Sequence, residues 1–381
     1  MTAEYDGVLR PRPGDPALLE AFLPVAGQPD NHAAQLLTVG GDLLCAWFSG
    51  SGEGNPDTHV VCARLASGAR GWSHPVALSA DPGRSEQNPV LFADPRGRLW
   101  LLHTSNEPHD QSTAHVVVRT SDDGGHAWGP PDVLPAAPGL FLRHPPLLLP
   151  GGPWVLPAYR CVPGGHYSVM LLSEDGGRSW TEAEVPESRH RVQACLAARP
   201  DGTLLALFRS RAADRIFASL SADGRAWSPP VRTSLPNNNS SFQLCAAPGG
   251  RLMLAYNDAS LERDQFRWVP GSGGPRRKPL RTPLTLAASD DGGHTWPHRR
   301  NLRQADAEHR ESGDQGYAYP SATCGPDGAL HVAFSYLHRT ICHVRLDPAW
   351  VEGGDGPPLG DPALLGSPSG PKGPRPERNG G

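Results

Sequence analysis

One short phrase recurs four times along this chain, and its spacing limits the folds open to it. Ser121-Asp122-Asp123-Gly124-Gly125-His126-Ala127-Trp128 is followed by Ser173-Glu174-Asp175-Gly176-Gly177-Arg178-Ser179-Trp180, by Ser221-Ala222-Asp223-Gly224-Arg225-Ala226-Trp227 and by Ser289-Asp290-Asp291-Gly292-Gly293-His294-Thr295-Trp296. With the degenerate Gly68-Ala69-Arg70-Gly71-Trp72 counted, the tryptophans at 72, 128, 180, 227 and 296 stand 56, 52, 47 and 69 residues apart. A period in this range signals stacked or radially repeated units. Each phrase has the chemistry of a hairpin turn. The Asp carboxylate accepts hydrogen bonds from N–H groups of its own loop, the glycines take the positive φ of such a turn, and the Trp packs back onto its unit. Those roles are structural, so chemistry is to be sought elsewhere.

Between the phrases runs a second pattern of strand, Gly-bearing turn and strand. Gln35 to Val39 with Asp42 to Phe48, Pro89 to Phe92 with Leu99 to Leu102, and Leu147 to Leu149 with Trp154 to Leu156 are the first three pairs. Gln193 to Ala197 with Thr203 to Phe208, Gln243 to Ala246 with Arg251 to Tyr256, and Ser321 to Thr323 with Leu330 to Tyr336 complete six. Five pairs are followed by the Trp phrase or its degenerate form, and the last is not, so a segment near the N-terminus is expected to complete a ring. Residues 1–29 read as an irregular Pro-rich segment, 30–350 as one folded unit, and 351–381, rich in Gly and Pro, as a disordered tail. The insertion from Asp258 to Lys278 is long for a hairpin connection, and such loops are often functional lids.

With 35 basic and 39 acidic residues the formal charge is only −4, without the clustered basic face a nucleic-acid partner requires. Neither a polybasic nor an amphipathic anchor points to a membrane. Seven cysteines (45, 62, 161, 195, 245, 324 and 342) lie mostly in apolar strand-like runs without CxxC spacing, and read as buried free thiols of a reducing compartment. No basic region followed by an apolar stretch opens the chain, so the expected location is the cytoplasm.

The Ser-x-Asp-x-Gly-x-x-Trp phrases resemble the Asp boxes of the sialidase superfamily, and the resemblance spans roughly Asn31 to Arg345. It implies an all-β, six-bladed β-propeller. Asn-His-Ala-Ala at 31–34, Gln-Asn-Pro-Val-Leu-Phe at 87–92, Arg-His-Pro-Pro at 143–146, Leu-Pro-Asn-Asn-Asn-Ser at 235–240 and Tyr-Ala-Tyr-Pro-Ser-Ala at 317–322 are similar to a sialidase-like branch of bacteria and plants with BNR repeats.

That family grips a substrate carboxylate with three arginines on the propeller axis, attacks with a Tyr activated by a Glu, and uses an Asp as acid and base. Carried over by local phrase, the resemblance implies Tyr319 as nucleophile, with Tyr317 as the alternative, and Arg215 and Arg281 as two clamp arginines. A phenol suits an anionic sugar because a carboxylate nucleophile would be repelled. Gln193 occupies the place of the activating Glu; it takes no proton but can orient the phenol. His32 occupies the place of the first arginine, which would make the grip depend on pH. Glu53 and Asp57, on a Gly-rich loop, are the acid/base candidates. Arg143, Asn88, Asn238 and Arg339 lie at ends of inner strands, where propellers place ligand contacts, as do Tyr159, Arg160, Arg209 and Arg211.

The expected function is exo-acting hydrolysis of a terminal acidic sugar from a glycan. A non-catalytic glycan-binding propeller and a lyase acting on uronate-containing chains are the alternatives. None of these needs a metal or other cofactor, and none is expected.

Overall fold

The structure, a computed structural model, describes residues 5–25, 27–271, 273–305, 316–354, 356, 359 and 360. Six antiparallel sheets follow one another around a ring, each a propeller blade. Blade 1 is built from Asp30–Val39, Asp42–Gly50, His59–Leu65 and Val76–Ala77, numbered from the axis outward. Blade 2 uses Ser85–Ala93, Leu99–Glu107, Asp110–Ser121 and Asp132–Val133. In blade 3 the inner strand is broken into Leu140–Leu142 and Leu147–Leu148, both paired with Trp154–Val162, and Gly165–Ser173 and Thr181–Glu184 lie outside them. Blade 4 runs Arg191–Ala198, Leu204–Ser210, Arg215–Ser221 and Val231–Pro236, and blade 5 runs Gln243–Ala246, Leu252–Asn257, Leu284–Ser289 and His298–Arg303.

Blade 6 has three strands from the end of the chain, Tyr317–Cys324, Leu330–Tyr336 and Thr340–Leu346, and two from its beginning. Asp15–Phe22 pairs antiparallel with Thr340–Leu346, matching Leu19 with Arg345 and Phe22 with Cys342, and Arg10–Arg12 adds an outermost strand. Part of the segment read as irregular is therefore the ring's closure. Both faces of this strand are packed, Leu18 into the core shared with blade 5 and Ala21 and Leu23 into the core shared with blade 1, while Pro16 and Ala17 at its start are exposed. The start of the stretch read as tail is likewise placed: Pro348–Gly353 forms a 3-10 turn with Val351 buried, and Leu359–Gly360 pairs with Thr295–Trp296. Residues 361–381, the rest of that stretch, lie outside the described residues.

The Trp phrases sit on the turns after the third strands, and their hydrogen bonds follow from their chemistry. Asp123 Oδ1 accepts from the N–H groups of His126 (3.0 Å) and Ala127 (2.9 Å) and from the Ser121 hydroxyl (2.8 Å), while Gly125 N–H donates to Ser121 Oγ (2.9 Å). These bonds hold the Asp123 carboxyl below its usual range. The last glycine of each phrase has φ between +79° and +91°, and a Cβ there would meet the second strand of the preceding blade. For Gly125 the neighbour is Leu44 (3.0 Å), for Gly177 Trp100 (2.8 Å), for Gly224 Val155 (2.6 Å) and for Gly293 Leu205 (2.8 Å). Only glycine satisfies both demands, so each phrase fastens its blade to the one before it.

Near the axis the inner strands share a second device. In blades 1, 2, 4 and 6 the ladder skips two residues, between His32 and Gln35, Gln87 and Val90, Val192 and Cys195, and Ala318 and Ser321. Each skip contains a non-glycine residue at positive φ: Ala33 (62°), Asn88 (50°), Gln193 (50°) and Tyr319 (50°). Asn239 (59°) stands just before the inner strand of blade 5, and Arg143 to Pro146 fill the break in blade 3. Bulges of this kind re-aim side chains and free backbone groups from the ladder, and strained backbone of this sort gathers at functional sites.

Candidate active site at the propeller axis

The bulges turn polar side chains from several blades toward one another at the mouth of the ring. Tyr319 is at the centre, 6% exposed. Its phenol oxygen accepts a hydrogen bond from Arg209 Nη1 at 2.6 Å, and the same nitrogen donates to Gln193 Oε1 at 2.8 Å. Arg209 Nε donates to Asn239 Oδ1 at 3.0 Å, which fixes the plane of the guanidinium. Among the described residues no group accepts the hydrogen of the Tyr319 hydroxyl. Arg143, Arg209 and Arg281 place their guanidinium carbons 5.4, 5.7 and 5.8 Å from the Tyr319 ring centroid, so one phenol lies among three cations. Tyr159, buried beside them, has its phenol pushed well above the ordinary range by burial and then by Cys161 and Tyr319, while Arg209 and a hydrogen bond with Gln193 act the other way.

Arg281 Nη1 lies 3.2 Å from His338 Nε2, and His338 Nδ1 lies 2.8 Å from Asp30 Oδ1. A guanidinium only donates and a carboxylate only accepts, so His338 carries its hydrogen on Nδ1 and receives Arg281 on Nε2. Asp30 Oδ2 accepts from the Glu53 N–H at 2.8 Å, which ties the Gly-rich loop to this relay. Burial lowers the Arg281 pKa, opposed by Tyr319 and then by Glu53, so Glu53 stands within electrostatic reach of the clamp. Asp57 instead caps its own loop, accepting from Ser51 N (3.0 Å) and Ser51 Oγ (2.8 Å).

Several carried-over roles change in this geometry. His32 lies at the axis, stacked on His338 at 4.0 Å and tilted against Tyr319 at 4.3 Å between centroids, but it is 1% exposed. Burial above all, then His338, Arg281, Arg143 and Arg209, pushes its pKa well below the usual imidazole value, which favours the neutral ring where no anion is bound. Arg215 begins the third strand of blade 4, and its guanidinium is taken by Glu262 (2.8 Å) and by the carbonyl of Ser234 (2.7 Å). It is bound to the protein's own carboxylate, whereas Arg209, one strand closer to the axis, meets the phenol.

Arg143, 1% exposed, gives its terminal nitrogens to the carbonyls of Ala33 (3.4 Å), Ala34 (2.9 Å), Tyr319 (3.1 Å) and Pro320 (3.5 Å). These carbonyls flank the bulges of blades 1 and 6, so Arg143 is a strut across the axis rather than a ligand contact. Burial lowers its pKa to about 10, which leaves it charged at neutral pH.

Asn238 also has internal work, donating to the Leu280 carbonyl at 2.7 Å and accepting from Ser240 N at 3.1 Å. Asn88, at its bulge, has no side-chain partner among the described residues, so its amide is open to a ligand. Arg339 is exposed on the short turn of blade 6, and its carbonyl accepts from Asn31. Tyr317 is fully buried, stacked on Tyr336 in the core, which takes it away from the axis. Asp30 and His338 were not singled out in the sequence, and Arg209 stood only among secondary candidates, its signal being a place near the mouth-side end of its strand.

A radial ring of boxed blades with a tyrosine and arginines on its axis defines the class as a sialidase-like β-propeller. The model for the BNR repeat-like domain matches residues 41–332, and the chain belongs to that family. None of the curated proteins matches it in sequence. Among solved structures it is similar to the Hadza microbial sialidase Hz136, with a TM-score of 0.71 at 15% identity over 87% of this chain and 69% of that one. It is also similar to Trypanosoma rangeli sialidase in complex with sialic acid, with a TM-score of 0.62 at 14% identity over 91% of this chain; it spans 58% of that protein's length. A protein of unknown function from Dyadobacter fermentans matches with a TM-score of 0.65 at 15% identity, over 86% of this chain and 97% of that one. Likeness at such identities concerns the fold.

Proposed function

We propose that the axial site binds a terminal acidic sugar of a glycan and hydrolyses its glycosidic bond, with Tyr319 as nucleophile. The observation that carries this reading is the Tyr319 phenol oxygen held at 2.6 Å by Arg209 among three guanidinium groups. Arg209 and Arg281 are the two cations at the mouth, and two guanidinium forks fix an anionic substituent in orientation. The phenol oxygen then bonds to the anomeric carbon as the glycosidic C–O bond breaks, its proton passing to water at the mouth, and Glu53, on the loop tied to Asp30, protonates the leaving oxygen. Water releases the sugar in the reverse sense, restoring the phenol. Gln193 acts through Arg209, fixing the guanidinium that meets the phenol. Support for an acidic sugar also comes from the sialic acid bound to the Trypanosoma rangeli relative. A reducing cytoplasmic setting remains part of the proposal, motivated by seven unpaired thiols.

One observation favours a second reading, a glycan-binding propeller without turnover. Among the described residues no carboxylate stands where the phenol's proton would go; Gln193 fills that place and itself accepts from Arg209. A screen of aryl glycosides of acidic sugars, run beside calorimetric titration of the free sugars, separates the two. Hydrolysis abolished by Tyr319→Phe supports the enzyme. Binding without turnover supports the second reading, and activity that survives Tyr319→Phe rejects the tyrosine mechanism.

A further inference from the structure

The insertion between the second and third strands of blade 5 is a two-stranded ribbon, Phe266–Val269 paired with Arg276–Pro279. Connections between second and third strands open on the face that carries the inner-strand bulges, as the Glu53 loop of blade 1 does. The foot of the ribbon is pinned beside the site: Leu280 N–H donates to Gln265 O (3.0 Å), Asn238 holds the Leu280 carbonyl (2.7 Å), and the next residue is Arg281. Its four-residue strands extend roughly 13 Å from that foot.

The register sorts the side chains. Trp268 faces Arg277 and Phe266 faces Pro279, while Arg267 faces Lys278 and Val269 faces Arg276; directly opposed residues share a side of the ribbon. One side is aromatic with a cation, and it is prearranged. Phe266 and Trp268 meet edge to face at 5.6 Å and 89°, and Arg277 lies 5.0 Å over the Phe266 ring. Trp268 is 63% exposed, the most exposed large apolar side chain among the described residues. Arg276 and Arg277 are exposed as well, and the nearest acid to Arg277 is the open Asp264 at 3.9 Å. From Asp258 to Arg281 there are six basic residues (263, 267, 276, 277, 278, 281) and three acidic ones (258, 262, 264), a net of +3 in a chain of net −4. An exposed Trp stacks on the apolar face of a ring, and an exposed guanidinium draws anions.

We propose that this ribbon binds a polyanionic glycan chain, so that the substrate is an acidic oligosaccharide whose units beyond the terminal sugar lie along Phe266, Trp268 and Arg277, the residues that share one side of it. The proposal rests on the reading that the axis takes the terminal acidic sugar of that chain. Its occupant follows from charge complementarity and from the ribbon's continuity with Arg281.

The test uses the full chain in the Tyr319→Phe form, to hold the glycan uncut, and calorimetric binding of four probes. These are an α2,8-linked sialic acid pentamer, a hexagalacturonate, a heparin-derived hexasaccharide and, as neutral control, cellohexaose. At least one acidic oligomer should bind about tenfold or more tighter than its own monosaccharide and than cellohexaose. In Trp268→Ala and in Arg277→Ser that advantage should vanish while monosaccharide binding stays unchanged. Raising salt from about 0.05 to about 0.5 M should shrink it in the parent and leave Arg277→Ser unaffected. The inference is overturned if no acidic oligomer outbinds its monosaccharide, if cellohexaose binds equally well, or if the advantage survives the substitutions. Failure of hydrolysis alone overturns the axial mechanism and leaves this binding comparison intact.

Discussion

Lowering the pH from about 7.5 to about 5.5 should remove much of this protein's stability, and five histidines set the size of the effect. His32, His103, His144, His331 and His343 are all buried. Burial is the first cause lowering each of their pKa values, to about 3 for His103, to about 4 for His331, and well below the usual value for the other three. In the unfolded chain each titrates near 6.5. A depressed folded pKa means that the unfolded state takes up the proton first, so the stability is present above about 6.5 and is lost as pH falls below it. One such group loses about 1.4 kcal/mol at pH 5.5, and five lose about 7, against a usual total of 5–15 kcal/mol. Glu86 has the opposite sign, since burial raises its carboxyl pKa and the folded state binds that proton first, offsetting part of the loss. His331 Nδ1 and His343 Nε2 are 2.9 Å apart, so those two titrate as a pair. The assay is urea unfolding followed by tryptophan fluorescence at pH 7.5, 6.5 and 5.5, with His103→Phe as the companion variant. His103→Phe should shrink the difference between the pH extremes by about 1.4 kcal/mol. Stability constant within about 2 kcal/mol across the range, or an undiminished difference in His103→Phe, would refute the reasoning.

Two further substitutions probe the ring itself. Arg143→Met removes the donors that hold the carbonyls of Ala34 and Tyr319 and should destabilise by about 2–4 kcal/mol in chemical denaturation. Arg143→Lys, which keeps the charge without the fork, should recover less than half of that, and a neutral Arg143→Met would sink the strut role. Gly293→Ala, at φ +91° with its Cβ 2.8 Å from Leu205, should cost about 2–4 kcal/mol, whereas Gly202→Ala, at φ +83° with nothing within 4 Å, should cost about 1. Equal costs would mean that close approach to the neighbouring blade is irrelevant.

The blades were legible because their signals are local. Asp123, Gly125 and Trp128 act within one turn, and recurrence multiplies a weak motif into a strong one. Gln193 and Tyr319 lie at the axis, each in a short phrase at the start of an inner strand. Arg215 does not: a phrase preceding an Asp box locates a residue along a strand without revealing which strand lies nearest the axis. Glu262, 47 residues away, decides where that guanidinium goes. His32 and Arg143 were placed at the axis while their roles escaped. Sequence conveys residue type, whereas neutrality at His32 and the carbonyl contacts of Arg143 come from burial among groups supplied by other blades. Asp30 and His338 meet across more than three hundred residues, and nothing local marks such a pair.

The pairing of Asp15–Phe22 with Thr340–Leu346 also imposes a schedule on biosynthesis. At translation rates of roughly 5–20 residues per second, the first strand emerges about 15–65 s before its partner exists. Throughout that interval Leu18 and Leu23 have no core to enter, and the strand's hydrogen-bonding edge is free to pair with another nascent chain. Completion of the ring is thus a late, long-range event, slow by its loop-closure entropy. High expression should convert that delay into dimers or aggregates joined through the first strand, which a lower expression level relieves.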